Sequence, residues 1–303
     1  MRIALLTRLL TVLLTPLLLV PCSALAAGET GSASPQVRSS TATKGGGAIK
    51  GGGAIKDRTP FLFRGGHWGT RPAGLFVSGR FDVGIFFFRP RVSFGYGRPH
   101  SQWVGLEVNP LISSEGAGVY GGLRVALPYV DFRAGARYRY AFRRAFLEPK
   151  QEYVREDIER LYGPASRYVS AEAELTGSLP LGPGNLFTEL GLTAVLGVKK
   201  GFYVYEETIR VVLDPPWVWR AMVGYMLRLL PQDALRIGPV VQLVGNPGRG
   251  TITTRAGFLV RFRLAYNLQL RGTFVPAWGG PDDLGTASAD AYQIGLRYLW
   301  ATR

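Results

Sequence analysis

Arginine supplies the chemistry this chain could perform. Between Tyr129 and Arg143 the side chains sort by parity: Asp131, Arg133, Gly135, Arg137, Arg139, Ala141 and Arg143 fall on one set of positions, and Val130, Phe132, Ala134, Ala136, Tyr138, Tyr140 and Phe142 on the other. A β-strand sends successive side chains to opposite faces, so Arg133, Arg137 and Arg139 share one surface, spread over roughly 7 to 20 Å at the usual rise. A guanidinium stays protonated and pairs with carboxylate or phosphate oxygens two at a time. A column of them attracts anions. Arg220, Arg228, Arg255, Arg261 and Arg271 occupy equivalent polar positions in later segments and complete the candidate set. Carboxylates share these faces at Asp82, Glu107, Asp131, Glu172, Glu174, Glu189 and Glu206. If Asp131, Glu172 and Glu174 pair with the arginines, the column is neutralised.

Other chemistries find little support. The two histidines are His67 and His100, and His100 with Ser101 and Glu107 is the one acid, histidine and hydroxyl set in reach. Neighbouring strand residues point apart, so His100 and Ser101 would not meet one substrate. Two histidines and one cysteine give no zinc site. Gly95-Tyr96-Gly97 lacks the strand-to-helix setting of a phosphate loop. No catalytic residue, metal or cofactor is expected, and the chain reads as non-enzymatic.

The elements that carry the arginines alternate throughout. Leu75 to Phe87, Val104 to Asn109, Val119 to Leu127, the strand at 129–143, Val169 to Thr176, Leu186 to Leu196, Tyr203 to Val211, Trp217 to Leu229, Leu235 to Leu243, Arg255 to Phe262, Tyr266 to Phe274 and Tyr292 to Trp300 each show period two. Glu207 is an exception, on the apolar side. The turns between them carry Gly, Pro, Asn and Asp, as at Asp214-Pro215-Pro216 and Gly245 to Gly250. This gives about twelve strands of bilayer-crossing length, with one face for lipid and one for a lumen. The excess of arginine over lysine, thirty to six, and the clustering of aromatics at strand ends separate this pattern from a soluble sandwich.

From about Gly74 to Trp300 the chain resembles the Gram-negative outer-membrane β-barrel, or porin-like, class. That resemblance implies an all-β, transmembrane antiparallel barrel of about twelve strands in the bacterial outer membrane. Its partners would be the lipid bilayer, lipopolysaccharide and the barrel assembly machinery. With the arginines on its polar faces, such a barrel reads as a passive channel whose lumen favours anionic solutes. The alternative is a non-conducting structural barrel of a trans-envelope machine for export, adhesion or motility.

Three segments stand outside the wall. Residues 1–26 have the parts of a secretory signal peptide: Arg2 and Arg8, an apolar run, and Ala24-Leu25-Ala26 before the cleavage point, which would remove the lone Cys22. Residues 27–72 are rich in Gly, Ser, Thr and Lys, repeat Gly-Gly-Gly-Ala-Ile-Lys in tandem, and read as a periplasmic tether ahead of a barrel at 73–303. Residues 144–166 read as a helical insertion, its helix opening near Pro149 with Val154, Ile158 and Leu161 or Tyr162 on one face. With both termini periplasmic, counting strands places Pro276 to Ala289 at the cell surface and the insertion in the periplasm. Residues 44–56 or 149–162 could then dock a periplasmic protein. The basic charge, +15 overall, is not expected to serve nucleic acid in an exported chain.

Overall fold

A computed structural model describes residues 66–84, 87–142, 145–159, 166–230, 233–289 and 294–302. The proposed signal peptide and all but the last residues of the proposed tether lie outside them. The strands are β1 (Gly74–Gly84), β2 (Phe87–Arg98), β3 (Gln102–Ser113), β4 (Gly116–Ala126), β5 (Val130–Ala141), β6 (Phe146–Leu147), β7 (Ser166–Leu181) and β8 (Gly184–Leu196). They continue with β9 (Tyr203–Glu206), β10 (Val211–Leu213), β11 (Trp217–Arg228), β12 (Leu235–Asn246), β13 (Thr251–Arg263), β14 (Leu268–Phe274), β15 (Ala277–Gly279) and β16 (Gly295–Ala301). One helix, α1, spans Arg155–Glu159.

Twelve antiparallel strands make the wall, in the order β1-β2-β3-β4-β5-β7-β8-β11-β12-β13-β14-β16, and β16 pairs back onto β1. Closure leaves no unpaired edge, which lipid requires because it offers backbone groups no hydrogen-bond partner. The outward positions are those the alternation assigned to lipid: Leu75, Leu106, Leu123, Leu192, Val223 and Phe258 are all exposed. Exposed Tyr96, Tyr129, Tyr266 and Trp300 ring one end, and Phe88, Phe142, Trp217 and Trp278 the other. Aromatic girdles of this kind mark the two membrane interfaces. No described helix is long and apolar enough to cross a membrane.

The structure corrects the strand assignment twice, and the two corrections cancel in the count. Leu75 to Phe87 is not one strand, because β1 ends at Gly84 and residues 87–98 form a second wall strand, paired with β1 from Val83–Phe88 to Gly74–Gly97. Pro90, which cannot donate to a ladder, obscures that strand in the sequence. Tyr203 to Val211 is not a wall strand. It forms the β9–β10 hairpin, in which Val204, Tyr205, Glu206, Val211, Val212 and Leu213 are all buried whatever their parity, so it is enclosed and does not face lipid.

With these corrections the insertion and the long segment before β16 sit at the same end. Short turns at β2–β3, β4–β5, β7–β8 and β13–β14 share one end with the start of β1 and the end of β16. The opposite end carries the described residues 145–159, 197–216, 247–250 and 275–289. Short turns are periplasmic and long loops extracellular in this architecture. The expected periplasmic insertion therefore belongs to the outer end. Its helix also starts later than Pro149, at Arg155. The Tyr153 hydroxyl accepts from the Lys150 amide at 3.1 Å and donates to the Glu148 carbonyl at 2.5 Å, which holds 148–153 out of a helix. Asp157 then accepts from the Val154 amide at 3.2 Å, closing the first turn.

The outer loops pack as one cap. Leu147, Tyr153, Ile158, Tyr205, Val212 and Leu284 form its apolar core. Arg249 crosses it, donating to Asp282 at 2.6 and 2.8 Å, to the Val212 carbonyl and to the Gln151 carbonyl, with its guanidinium 5.2 Å from the Tyr153 ring centre. Burial opposes the charge on Arg249, but its hydrogen bonds to Asp282 outweigh that and raise its pKa. Burial pushes the Tyr153 hydroxyl up to about 12.

Candidate functional site

The wall's inner face encloses a cavity of about 600 Å³ that extends from His100 and Leu299 near the periplasmic end to Glu159, Thr208 and Thr286 in the outer loops. Register decides which charges meet inside it. On β3 to β11 the positive and negative side chains are interleaved. Arg124 bridges Glu107 at 2.7 Å and Asp131 at 2.8 Å, and Arg91 reaches Glu107 at 3.2 Å. Arg133 donates to Glu174 at 2.7 Å, and Arg137 to Glu172 at 2.9 Å. Arg220 joins Glu174 at 3.0 Å and also contacts Glu189. The pairing that would neutralise the 129–143 column is thus realised for Arg133 and Arg137.

The opposite wall, β13-β14-β16-β1-β2, is composed differently. Arg261, Arg271, Arg297, Arg80, Arg89 and Arg91 line the cavity there, with Asp82 as the carboxylate among them. Arg297 takes Asp82 at 2.8 Å, and Arg89 approaches the same carboxylate at 3.7 Å. Arg91 is drawn away to Glu107. Among the described residues no carboxylate pairs with Arg80 or Arg271. Arg80 stands directly opposite Arg91, and Arg261 directly opposite both Arg271 and Arg236. Like charges in register repel.

Of the eight arginines singled out from the sequence, Arg133, Arg137, Arg220, Arg261 and Arg271 line the cavity. Arg139 contacts Glu207 of the hairpin. Arg255, fully buried, donates to Gln242 at 2.8 Å and to the carbonyls of Ile209 and Arg210 at 2.7 and 2.9 Å. These two arginines fasten the β9–β10 hairpin against the wall from different strands, so that Thr208, Ile209 and Arg210 at its tip line the cavity. Arg228 sits at the periplasmic turn, bonded to Asn185 at 2.6 Å and near Asp233 at 3.5 Å. Arg89 and Arg91 were missed because their strand was not recognised. Arg80 and Arg297 were visible as polar-face residues, but without register nothing set them apart.

At the periplasmic end the turn Gly66–Thr70 enters the mouth. Trp68, 3% exposed, packs on Leu299 and Ala301, inner-face residues of β16, and meets the His100 ring edge-on at 5.2 Å. The Arg71 guanidinium lies 4.2 Å from the Trp68 ring centre and donates to the Thr302 carbonyl at 3.1 Å. Burial, followed by the charge of Arg80, lowers the pKa of His100 to about 3, so the ring is neutral and its Nε2 donates to the Trp300 carbonyl at 2.8 Å. Glu107, held by two arginines, is not its partner. His100, Ser101 and Glu107 form no catalytic set, and no group of metal-ligating side chains occurs among the described residues.

No family model and no curated protein matches the chain. Among solved structures it is similar to the NanC porin, with 10% identity over 75% of this chain and 98% of that one at a TM-score of 0.34. It is similar to outer-membrane-expressed OmpT of Vibrio cholerae, at 9% identity over 75% and 96% and a TM-score of 0.34. It is also similar to OccK10 of Pseudomonas aeruginosa, at 10% identity over 77% and 99% and a TM-score of 0.23. Likenesses so distant carry no further weight. The closed wall, the lipid-facing apolar belt with its two girdles and the charged interior make this chain a closed twelve-stranded transmembrane β-barrel of the outer-membrane type.

Proposed function

We propose that the barrel is a channel for anionic solutes, with selectivity set by the β13–β2 wall. The observation that carries this reading is the composition of that wall: six cavity-lining arginines beside one carboxylate. Charged side chains on a pore wall select by sign. Such a field concentrates anions within a Debye length, about 10 Å at 0.1 M salt, and fades as salt rises.

A second reading, the structural barrel, is favoured by the outer cap, in which three loops share one apolar core and a fourth joins them through the Arg249–Asp282 pair. A rigid lid suits a barrel that does not conduct. Purified protein in a planar bilayer separates the two. The channel reading expects discrete current steps that are anion-selective in a KCl gradient. Cation selectivity refutes it, and a silent membrane leaves the structural reading standing.

A further inference from the structure

We propose that the turn Gly66–Thr70 is a plug that closes the periplasmic mouth of the lumen, with Trp68 as its seal and Arg71 as its latch. This rests on the reading of the lumen as a solute pathway and adds the means by which that pathway is held shut.

The first support is parity, which places the indole inside the barrel and not on its lipid face. Along β16, Tyr298 and Trp300 are exposed and point to lipid, whereas Leu299 and Ala301, which alternate with them, are buried and point inward. Trp68 packs on those two inward residues. A tryptophan that anchored the chain at the membrane surface would lie with the outward girdle. This one is buried, and it meets the ring of His100, from the β2–β3 turn, edge-on at 5.2 Å. His100 and Leu299 both line the cavity where it approaches the periplasm. The indole therefore lies across the floor of the lumen.

The second support is the wall that receives the turn. The inward residues of β16 change from Arg297, which lines the cavity, to Leu299 and Ala301 at the mouth, and an open mouth would wet that apolar end. Further round the wall Phe76, Trp103 and Ala126 of β1, β3 and β4 form a second buried apolar cluster at the same end, with the Phe76 and Trp103 rings edge to face at 5.5 Å. These rings narrow the opening that the turn has to fill. Arg71 then fixes the turn in place, its guanidinium 4.2 Å from the Trp68 ring centre and donating to the Thr302 carbonyl at 3.1 Å. Thr302 is itself tied to β1, its amide donating to the Val77 carbonyl at 2.9 Å and its hydroxyl accepting from the Val77 amide at 3.0 Å. His100 is held to the same seam through the Trp300 carbonyl at 2.8 Å. The seat thus belongs to the closing pair β16 and β1, while the turn supplies no strand to the wall. It can leave without unfolding the barrel.

Planar-bilayer recording of the purified protein and of Trp68→Ala tests this, together with the rate at which a bulky, membrane-impermeant thiol reagent labels T176C in a C22S background, Thr176 being a cavity-lining residue. Loss of the indole removes most of the buried contact that seats the turn, so W68A should raise the open fraction by about tenfold or more, and the labelling rate with it. Arg71→Ala keeps the indole and should give a smaller rise in both. Trp68→Phe keeps a ring on Leu299 and should stay near the wild type. Heat-modifiable migration checks that each wall is folded, and R71A decides the matter if W68A does not fold. In a barrel that conducts, equal currents for the wild type, W68A and R71A overturn the plug and spare the channel. A silent wild type beside a conducting W68A supports both. If every variant is silent, faster labelling in W68A keeps the plug and defeats the channel, and equal labelling defeats both.

Discussion

The two walls of the lumen arrange their charges differently. On β3 to β11 each glutamate stands one or two strands from its arginine, so Arg133 meets Glu174, Arg137 meets Glu172 and Arg124 meets both Glu107 and Asp131. On β13 to β2, arginine faces arginine: Arg261 opposes Arg271, and Arg80 opposes Arg91. β5 alone carries Arg133, Arg137 and Arg139, but each of them has a carboxylate within reach. Selectivity in such a pore depends on how the register distributes the two signs of charge around the lumen.

The largest effect should come from removing the arginine wall. The triple variant R80Q/R261Q/R271Q should abolish anion preference, bringing the chloride-to-potassium permeability ratio to about one or below. A preference that survives the change would move the selectivity to another part of the lumen. Next comes Glu174→Gln, which removes the carboxylate that Arg133 pairs with and one of the two carboxylates that Arg220 contacts. It should raise the chloride preference several-fold and lower the midpoint temperature of heat-modifiability, because two guanidiniums lose their shared acceptor.

Arg249→Ala acts on the cap and not on either wall. Its side chain is 4% exposed and that of Asp282 7%, so the variant strands a nearly buried carboxylate at a cost of about 3–5 kcal/mol. Faster hydrogen exchange in 145–159 and 280–289, with strand protection unchanged, would confirm that the cap is a separate stability unit. Selectivity should stay the same, while the conductance rises if the cap limits it. The smallest effect belongs to the neutral deletion R137Q/E172Q, which removes a matched pair and should leave the permeability ratio within the scatter of the wild type. A marked shift would show that the paired wall also steers ions.

The barrel was legible in the sequence because lipid and lumen impose opposite demands on neighbouring residues, and period two records that directly from Leu186 to Leu196 and from Trp217 to Arg228. Legibility failed where that contrast fails. The β9–β10 hairpin alternates but is buried on both faces, so its pattern mimicked a wall strand until Glu207 proved to be the contact of Arg139. β2 was hidden behind Arg89-Pro90-Arg91, and with it two of the arginines that define the site. The loss of one strand and the gain of another preserved the count of twelve but reversed the side on which the insertion emerges. Charge pairing was illegible for a different reason. Arg137 and Glu172 are thirty-five residues apart in the chain and meet only through the β5–β7 register.

The central claim, that the arginine wall sets the sign of selectivity, is tested most directly by the reversal potential of the reconstituted barrel across a KCl gradient, recorded for the wild type and for R80Q/R261Q/R271Q under the same conditions. The account predicts a reversal potential displaced toward that of chloride in the wild type, shrinking as salt rises, and a displacement that vanishes or changes sign in the variant. Equal reversal potentials for the two proteins, or a wild type displaced toward potassium, would contradict it.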